Sequence, residues 1–153
     1  MLKKIHGEWQ ISQVKDVLVT SLAGVFNEEG TRAYFAEALS KAPTDKAWAA
    51  LSNSENWDMS CAASLELFAE MRRYAFAHQC QCLAVVIPSF LRKTIHQRQT
   101  GHFSEDKVAY FSNLEEACVW LQAKGFDFHT HDYPHTEFIQ RAQSFLGVND
   151  EHA

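Results

Sequence analysis

Residues 108–125, Val-Ala-Tyr-Phe-Ser-Asn-Leu-Glu-Glu-Ala-Cys-Val-Trp-Leu-Gln-Ala-Lys-Gly, give the clearest fold signal in the chain. The first four are apolar or aromatic and predict a short buried strand. Ser112 or Asn113 can then cap a helix by accepting a hydrogen bond from its first turn, and Gly125 supplies the left-handed residue that ends one. The positions that recur at helical spacing are Leu114, Ala117, Cys118 and Leu121. This unit therefore predicts a strand followed by a helix with one buried face, and it contains no reactive constellation.

The same alternation of strand and helix extends outward from this unit. The segments that favour strands are residues 9–13, 17–23, 47–51 and 83–87. The segments that favour helices are residues 27–41, 61–78, 89–99 and a C-terminal piece with Phe138, Ile139, Ala142, Phe145 and Leu146 on its apolar side. The polar residues 52–56 predict a loop, and the apolar run 83–87 predicts a central strand buried on both faces. The order of elements indicates an α/β sandwich with a mostly parallel sheet.

Length and composition limit the class of protein. A chain of 153 residues with 46% hydrophobic and 22% charged residues is typical of one soluble globular domain, 1–153. The net charge of −5 and the lack of a basic stripe argue against a nucleic-acid partner. The N-terminus does not match a signal peptide, and no apolar run approaches the roughly 20 residues that span a bilayer, so a cytoplasmic location is expected. No cofactor motif is present, and no cofactor is predicted.

The cysteines indicate packing rather than chemistry. Cys61, Cys80, Cys82 and Cys118 do not form a C-x-x-C pair that would indicate zinc or redox function. Cys80 and Cys82 are two residues apart in a strand, which places their side chains on one face. All four are therefore expected to be buried, small apolar residues.

These elements resemble the bacterial STAS/SEC14-like family, also described as SpoIIAA-like. The resemblance is carried by residues 17–30, Trp57 before the long helix, and residues 83–87 and 108–125. It covers residues 8–125 and leaves 126–153 as a C-terminal helical extension. It implies a five-stranded, mostly parallel or mixed sheet flanked by helices, a homodimer, and a non-catalytic role in binding or regulation.

The resemblance also draws attention to Ser60. In anti-sigma factor antagonists of this family, a serine in an Asp-Ser-Ser-Gly turn opens the long helix and is phosphorylated by a partner kinase. Ser60 occupies the matching position in Asp58-Met59-Ser60-Cys61, where Met59 and Cys61 replace the second serine and the glycine. Ser60 is therefore either a regulatory site or simply the N-cap of the helix.

Residues 89–99 form a basic amphipathic segment in an acidic chain. Phe90, Leu91 and Ile95 give it an apolar underside, whereas Arg92, Lys93, His96 and Arg98 lie on its other side. The segment follows the most apolar strand, and ligands of open α/β sheets sit beyond strand C-termini. It is therefore either a plain connecting helix or a lid over an apolar cavity. As a lid, its predicted ligand-binding residues are Phe90, Leu91, Arg92, Ile95 and Arg98.

Two further motifs are weaker. Residues 24–30 resemble a glycine loop before a helix, but Glu28 and Glu29 would repel a phosphate, so a turn and cap is expected. His129, His131, Asp132 and His135 have suitable chemistry for a metal, but the irregular segment around Pro134 favours a solvated loop, and no metal is predicted.

The preferred interpretation is a non-enzymatic module that holds an apolar or anionic amphiphilic, lipid-like small molecule between the sheet and residues 89–99. The alternative is a protein-interaction module of the antagonist type, switched at Ser60. A metal-dependent enzyme that uses the C-terminal histidines ranks third. No catalytic residue is predicted.

Overall fold

Five strands form one mixed sheet in which they lie side by side in chain order. They are β1 (Glu8–Val14), β2 (Val17–Gly24), β3 (Trp48–Trp57), β4 (Cys80–Val86) and β5 (Val108–Phe111). β1 and β2 form an antiparallel hairpin, whereas β2 to β5 are parallel. Lys15 in the hairpin turn has a φ of 54°, the left-handed conformation that tight hairpin turns favour. The predicted five-stranded mixed sheet is confirmed.

Helices connect each parallel strand to the next. α1 (Glu28–Lys41), α2 (Ala62–Ala77) and α3 (Phe90–Gln99) follow β2, β3 and β4, and α4 (Leu114–Ala123) follows β5. A 3-10 turn (Thr130–Asp132) then leads to a last helix, α5, over 136–142. The computed structural model describes residues 4–58, 60–99 and 103–142, apart from the side chains of Leu91 and Gln99. The predicted contacts of Phe145 and Leu146 lie outside those residues.

The helix starts follow from local sequence. Asn27 Oδ1 accepts a hydrogen bond from the Gly30 amide at 2.8 Å, and Asn113 Oδ1 accepts one from the Glu116 amide at 2.9 Å. Both predicted caps are confirmed. Because Asn27 caps α1, residues 24–30 form a turn and a helix cap, as expected. Gly125 ends α4 with a φ of 97°.

The two faces of the sheet are covered by different elements. One face, called here the helical face, packs against α1 and α2 through a cluster that includes Leu22, Tyr34, Trp57 and Phe68. The opposite face packs against α4, where Ala117, Cys118 and Leu121 are buried as predicted. Residues 126–142, called here the strap, extend that second cover over β1 to β3 and bury Phe128 and Phe138. We call the second face the strap face.

β3 is longer than predicted. It runs to Trp57 and includes the polar residues 52–56, which were expected to form a loop. The strap explains the difference, because Asn53 Nδ2 donates to the Tyr133 hydroxyl at 3.1 Å and Asn56 Nδ2 donates to the Ile139 carbonyl at 3.3 Å. The middle strand of the sheet is β3. The predicted central strand 83–87 corresponds to β4, an interior strand beside it that runs from Cys80 to Val86.

A bulge changes the predicted placement of the cysteines. Trp48 pairs with Cys80 and Ala49 pairs with Cys82, which leaves Gln81 as an extra residue in β4. Cys80 therefore joins the helical-face cluster and Cys82 the strap-face cluster. Cys61 is exposed, so the prediction of four buried cysteines is wrong at that position. Among the described residues, no helix is both long and apolar enough to cross a membrane.

Candidate functional site

The helical face contains a cavity beneath α2, called here the inner cavity. Its volume is about 70 Å³. Most of its wall is apolar and includes Leu18, Leu22, Phe68, Met71, Phe76 and Leu83. The polar side chains that line it are Thr20, Tyr34, Ser52, Arg72 and His96. Apolar walls with a few placed polar groups are typical of small-molecule sites.

Arg72 of α2 supplies a buried cation at this cavity. The residue is 8% exposed, and its Nη1 donates to the Tyr110 hydroxyl of β5 at 3.2 Å. Its Nη2 lies 3.4 Å from Nδ1 of His96, which is itself 3.0 Å from the Tyr110 hydroxyl. These contacts connect α2, α3 and β5 at one end of the cavity.

The charge of Arg72 acts on the other titratable groups of the cavity. Burial, and then the guanidinium charge, lower the pKa of His96 well below its ordinary value, so the imidazole is neutral. Burial raises the pKa of Tyr34 to about 12, while its hydrogen bond to Thr20 and the charge of Arg72 act in the opposite direction. Arg72 therefore places a formal positive charge at the wall of the cavity, beside a neutral histidine and a neutral tyrosine.

The predicted ligand-binding residues of α3 lie elsewhere. Phe90 is 81% exposed, so its predicted place on an apolar underside is wrong. Arg92 Nη1 donates to the Trp57 carbonyl at 2.8 Å, Ile95 is half-buried and Arg98 is exposed. The side chain of Leu91 lies outside the described part of the chain. Whether these residues contact a ligand stays a prediction.

Arg72 and His96 were missed as site residues. Arg72 follows Leu65 and Phe68 at helical spacing, so a cation on an apolar stripe was the available signal. His96, expected on the solvated side of its helix, is 3% exposed. Its burial depends on contacts with Trp57, Phe68 and Tyr110, which come from three different elements, so no local pattern shows it.

Ser60 lies in the loop before α2 but does not cap the helix. The N-cap residue is Cys61, which makes no side-chain capping hydrogen bond. Ser60 Oγ instead accepts a hydrogen bond from Nε1 of the fully buried Trp57 at 3.0 Å. The N-cap prediction is therefore wrong, whereas the regulatory role of Ser60 stays a prediction.

His135 lies apart from the other two C-terminal histidines of the predicted cluster. The rings of His129 and His131 stack with their centroids 5.4 Å apart, and His129 Nε2 lies 2.7 Å from Asp127 Oδ1. His135 is buried at the strap face, so the expectation of a solvated loop is wrong for this residue. Within residues 4–58, 60–99 and 103–142, no three His, Cys, Asp or Glu side chains are grouped to hold a metal ion.

No protein-family model matches the chain, and no match is found among the curated proteins. Several solved structures have a similar fold, and two of them are described here. An uncharacterized DUF3478-family protein with a SpoIIAA-like fold from Shewanella loihica has a TM-score of 0.56 and 16% identity, covering 79% of this chain and 98% of that chain. The anti-sigma factor antagonist SpoIIAA in its unphosphorylated form has a TM-score of 0.51 and 14% identity, covering 78% of this chain and all of that chain (100%). At these identities the likeness concerns the fold, and the chain therefore has the SpoIIAA-like α/β fold.

Proposed function

We propose that this protein is a non-enzymatic binding module that holds a small, partly apolar anion in the inner cavity. The observation that supports this function is the buried Arg72 guanidinium at the wall of a mostly apolar cavity. A guanidinium binds a carboxylate through two parallel hydrogen bonds, and such charge-assisted bonds are stronger than neutral ones. The apolar wall would cover the hydrocarbon part of the same molecule.

The volume limits the size of the ligand. An engineered cavity of about 150 Å³ holds benzene, so a cavity of about 70 Å³ accepts a molecule of only a few heavy atoms. A short-chain carboxylate fits this description, whereas the acyl chain of a lipid is too long. In this proposal Arg72 takes the head-group role first expected of Arg92 and Arg98.

Thermal unfolding with matched ligands tests the proposal. Acetate should raise the melting temperature with concentration, because it binds the native state, whereas the neutral isostere acetamide should not. Arg72→Gln should abolish the effect of acetate. Arg73→Gln, which removes an exposed cation from the next position of α2, is the matched control and should retain it.

A second variant tests the location. Ala75→Met adds side-chain volume at the cavity wall and should abolish the stabilisation by acetate. Equal stabilisation by acetate and acetamide, or full stabilisation of the Ala75→Met variant by acetate, would contradict binding in the inner cavity.

The alternative function is a protein-interaction module switched by phosphorylation at Ser60. It is supported by the fold shared with an anti-sigma factor antagonist and by the position of Ser60 before α2. Trp57 also connects Ser60 to a cation. Its indole donates a hydrogen bond to Ser60, and its carbonyl accepts one from the guanidinium of Arg92. A phosphate on Ser60 would bring negative charge to this loop and compete for that hydrogen-bond network.

Mass spectrometry of protein from its native cells tests this alternative. Stoichiometric phosphate on Ser60, lost in Ser60→Ala and retained in Ser89→Ala, would favour the switch over the binding module. An unmodified Ser60 in cells grown under several conditions would argue against it.

Homodimerisation and a cytoplasmic location stay predictions. Light scattering over a wide concentration range tests homodimerisation.

A further inference from the structure

His135 lies in a buried hydrogen-bond cluster that joins the strap to the sheet. Its Nδ1 is 2.8 Å from Ser21 Oγ on β2, and its Nε2 is 2.8 Å from Ser12 Oγ on β1. The Tyr133 hydroxyl is also hydrogen-bonded to Ser21 Oγ and accepts a hydrogen bond from Asn53. His135 is only 3% exposed. Both ring nitrogens are therefore used to hold the strap on the sheet.

We propose that His135 makes the strap a proton-sensitive latch, which is closed on the sheet when the imidazole is neutral and opens when the imidazole is protonated. This inference is independent of the inner cavity, which lies on the opposite face of the sheet.

The surroundings of His135 disfavour a positive charge. Lys41 of α1 is the charged group that acts on it, with its Nζ bound to the Ile11 carbonyl of β1 at 3.0 Å and to Glu37 at 3.1 Å. β1 and β2 present only the hydroxyls of Ser12 and Ser21 to the ring. Hydroxyl oxygens can accept hydrogen bonds from both N–H groups of an imidazolium, but they do not neutralise its charge.

Two titratable groups lie further along the same cluster. Burial raises the pKa of Tyr133, so its hydroxyl stays neutral. Glu55 of β3 acts on Tyr133 and adds to that rise. Burial, and then Lys41, lower the pKa of His135 to about 4. The closed strap therefore resists protonation of His135 throughout the mildly acidic range.

The surface beneath the strap tolerates water. Four polar side chains face the strap from β1, β2 and β3, namely Ser12, Ser21, Asn53 and Asn56. The part of the same face under α4 is apolar, with Val19, Leu51 and Ala84 fully buried. Lifting residues 133–142 exposes these polar groups, together with Phe138 and Ile139, while Phe128 stays packed with α4. Opening is therefore a local event that leaves the α4 core intact.

The direction and size of the pH effect follow from linkage. In the open state the His135 imidazole has its ordinary pKa of about 6.5. Above that value the ring is neutral in both states and closure is fully favoured. Between about 6.5 and 4 the open state binds a proton that the closed state does not, so opening increases as the pH falls, and it levels off below about 4. Between pH 7.5 and 5.0 the opening constant should rise about 30-fold.

Hydrogen–deuterium exchange measures strap opening in the full chain. The Ile139 amide, bonded to the His135 carbonyl at 3.1 Å, reports on the strap, and the amides of α4 serve as an internal reference. After correction for intrinsic exchange rates, protection of Ile139 should fall about 30-fold from pH 7.5 to 5.0, while α4 is unchanged. His135→Gln should remove this pH dependence, and His131→Gln, at an exposed position of the same segment, should retain it.

A direct titration keeps the test valid if His135→Gln does not fold. In the wild-type protein, NMR of the imidazole should show His135 neutral at pH 5.5 in the closed state. An ordinary His135 titration near neutral pH, a strap protection that is independent of pH, or a retained pH dependence in a folded His135→Gln variant would each overturn the latch.

Discussion

The side-chain amide of Asn53 donates to the Tyr133 hydroxyl across 3.1 Å and joins the middle strand of the sheet to the strap, 80 residues later in the chain. Asn53 is 2% exposed, so water cannot reach its side-chain amide, and the Tyr133 hydroxyl serves as its hydrogen-bond partner instead. This pair explains how a polar run remains inside a β-strand. It also makes the strap an integral part of the cover of the sheet.

Removal of the Tyr133 hydroxyl should destabilise the protein. Tyr133→Phe leaves Asn53 Nδ2 and Ser21 Oγ each with one partner fewer in a buried site. The expected loss is about 1–3 kcal/mol in the free energy of unfolding by urea. Tyr74→Phe, at an exposed position of α2, is the control and should have little effect. Equal urea midpoints for the two variants would show that the cluster does not stabilise the fold.

Truncation of the α4 core face should have a larger effect. Leu121 is fully buried against the strap face, so Leu121→Ala removes apolar contacts and leaves a cavity. We expect a loss of about 2–5 kcal/mol, measured by urea denaturation. Val119→Ala on the same helix, at a position that is 61% exposed, should cost far less. A negligible shift for Leu121→Ala would mean that this helix face is not core.

Ser60 should contribute to stability through Trp57 rather than through helix capping. Ser60→Ala deprives the buried indole N–H of its acceptor, with an expected cost of about 1–3 kcal/mol. Ser60→Thr retains a hydroxyl and should recover most of that loss. The urea midpoints of both variants provide the test, and an alanine variant as stable as wild type would exclude this role for the hydroxyl.

His96 should make stability depend on pH. Because burial and Arg72 lower its pKa, the folded protein holds the ring neutral, whereas the unfolded chain protonates it below about pH 6.5. Its stabilising contribution is therefore complete above that pH and decreases as the pH falls. We expect the urea midpoint to fall between pH 7.5 and 5.5 in wild type and to fall less in His96→Gln.

The control for this effect is His78→Gln, which replaces a half-buried histidine stacked on Tyr74. That variant should follow the wild-type pH profile. If His96→Gln showed the full wild-type decrease, proton exclusion at His96 would not be its source.

Features set by neighbouring residues were predictable from the sequence. The caps at Asn27 and Asn113 and the buried face of α4 depend on residues within a few positions, and each was predicted correctly. The parallel pairing of β2 to β5 was also predictable from alternating strands and helices, since parallel strands need a crossover connection.

Features set by distant residues were not predictable. Residues 52–56 were expected to form a loop because they are polar. They form a strand instead, since their hydrogen-bond partners lie in the strap, far away in the sequence. The side chains of Cys80 and Cys82 point to opposite faces because of a bulge that the pairing with β3 creates. A ligand cavity was predicted beneath residues 89–99 because the basic residues of that segment are visible in the sequence. The inner cavity lies beneath α2 instead, and Arg72 becomes a site residue only because α2 packs against the sheet.

The strap follows every strand that it covers in the chain. During synthesis, β1, β2 and β3 therefore leave the ribosome before residues 126–142 exist to shield them. The hydroxyl and amide groups on this side can bind water in the meantime, so part of the uncovered face is hydrated, next to apolar residues such as Val19 and Ala23. The same polarity that requires a hydrogen-bonding cover in the finished protein thus reduces the apolar area that the nascent chain exposes.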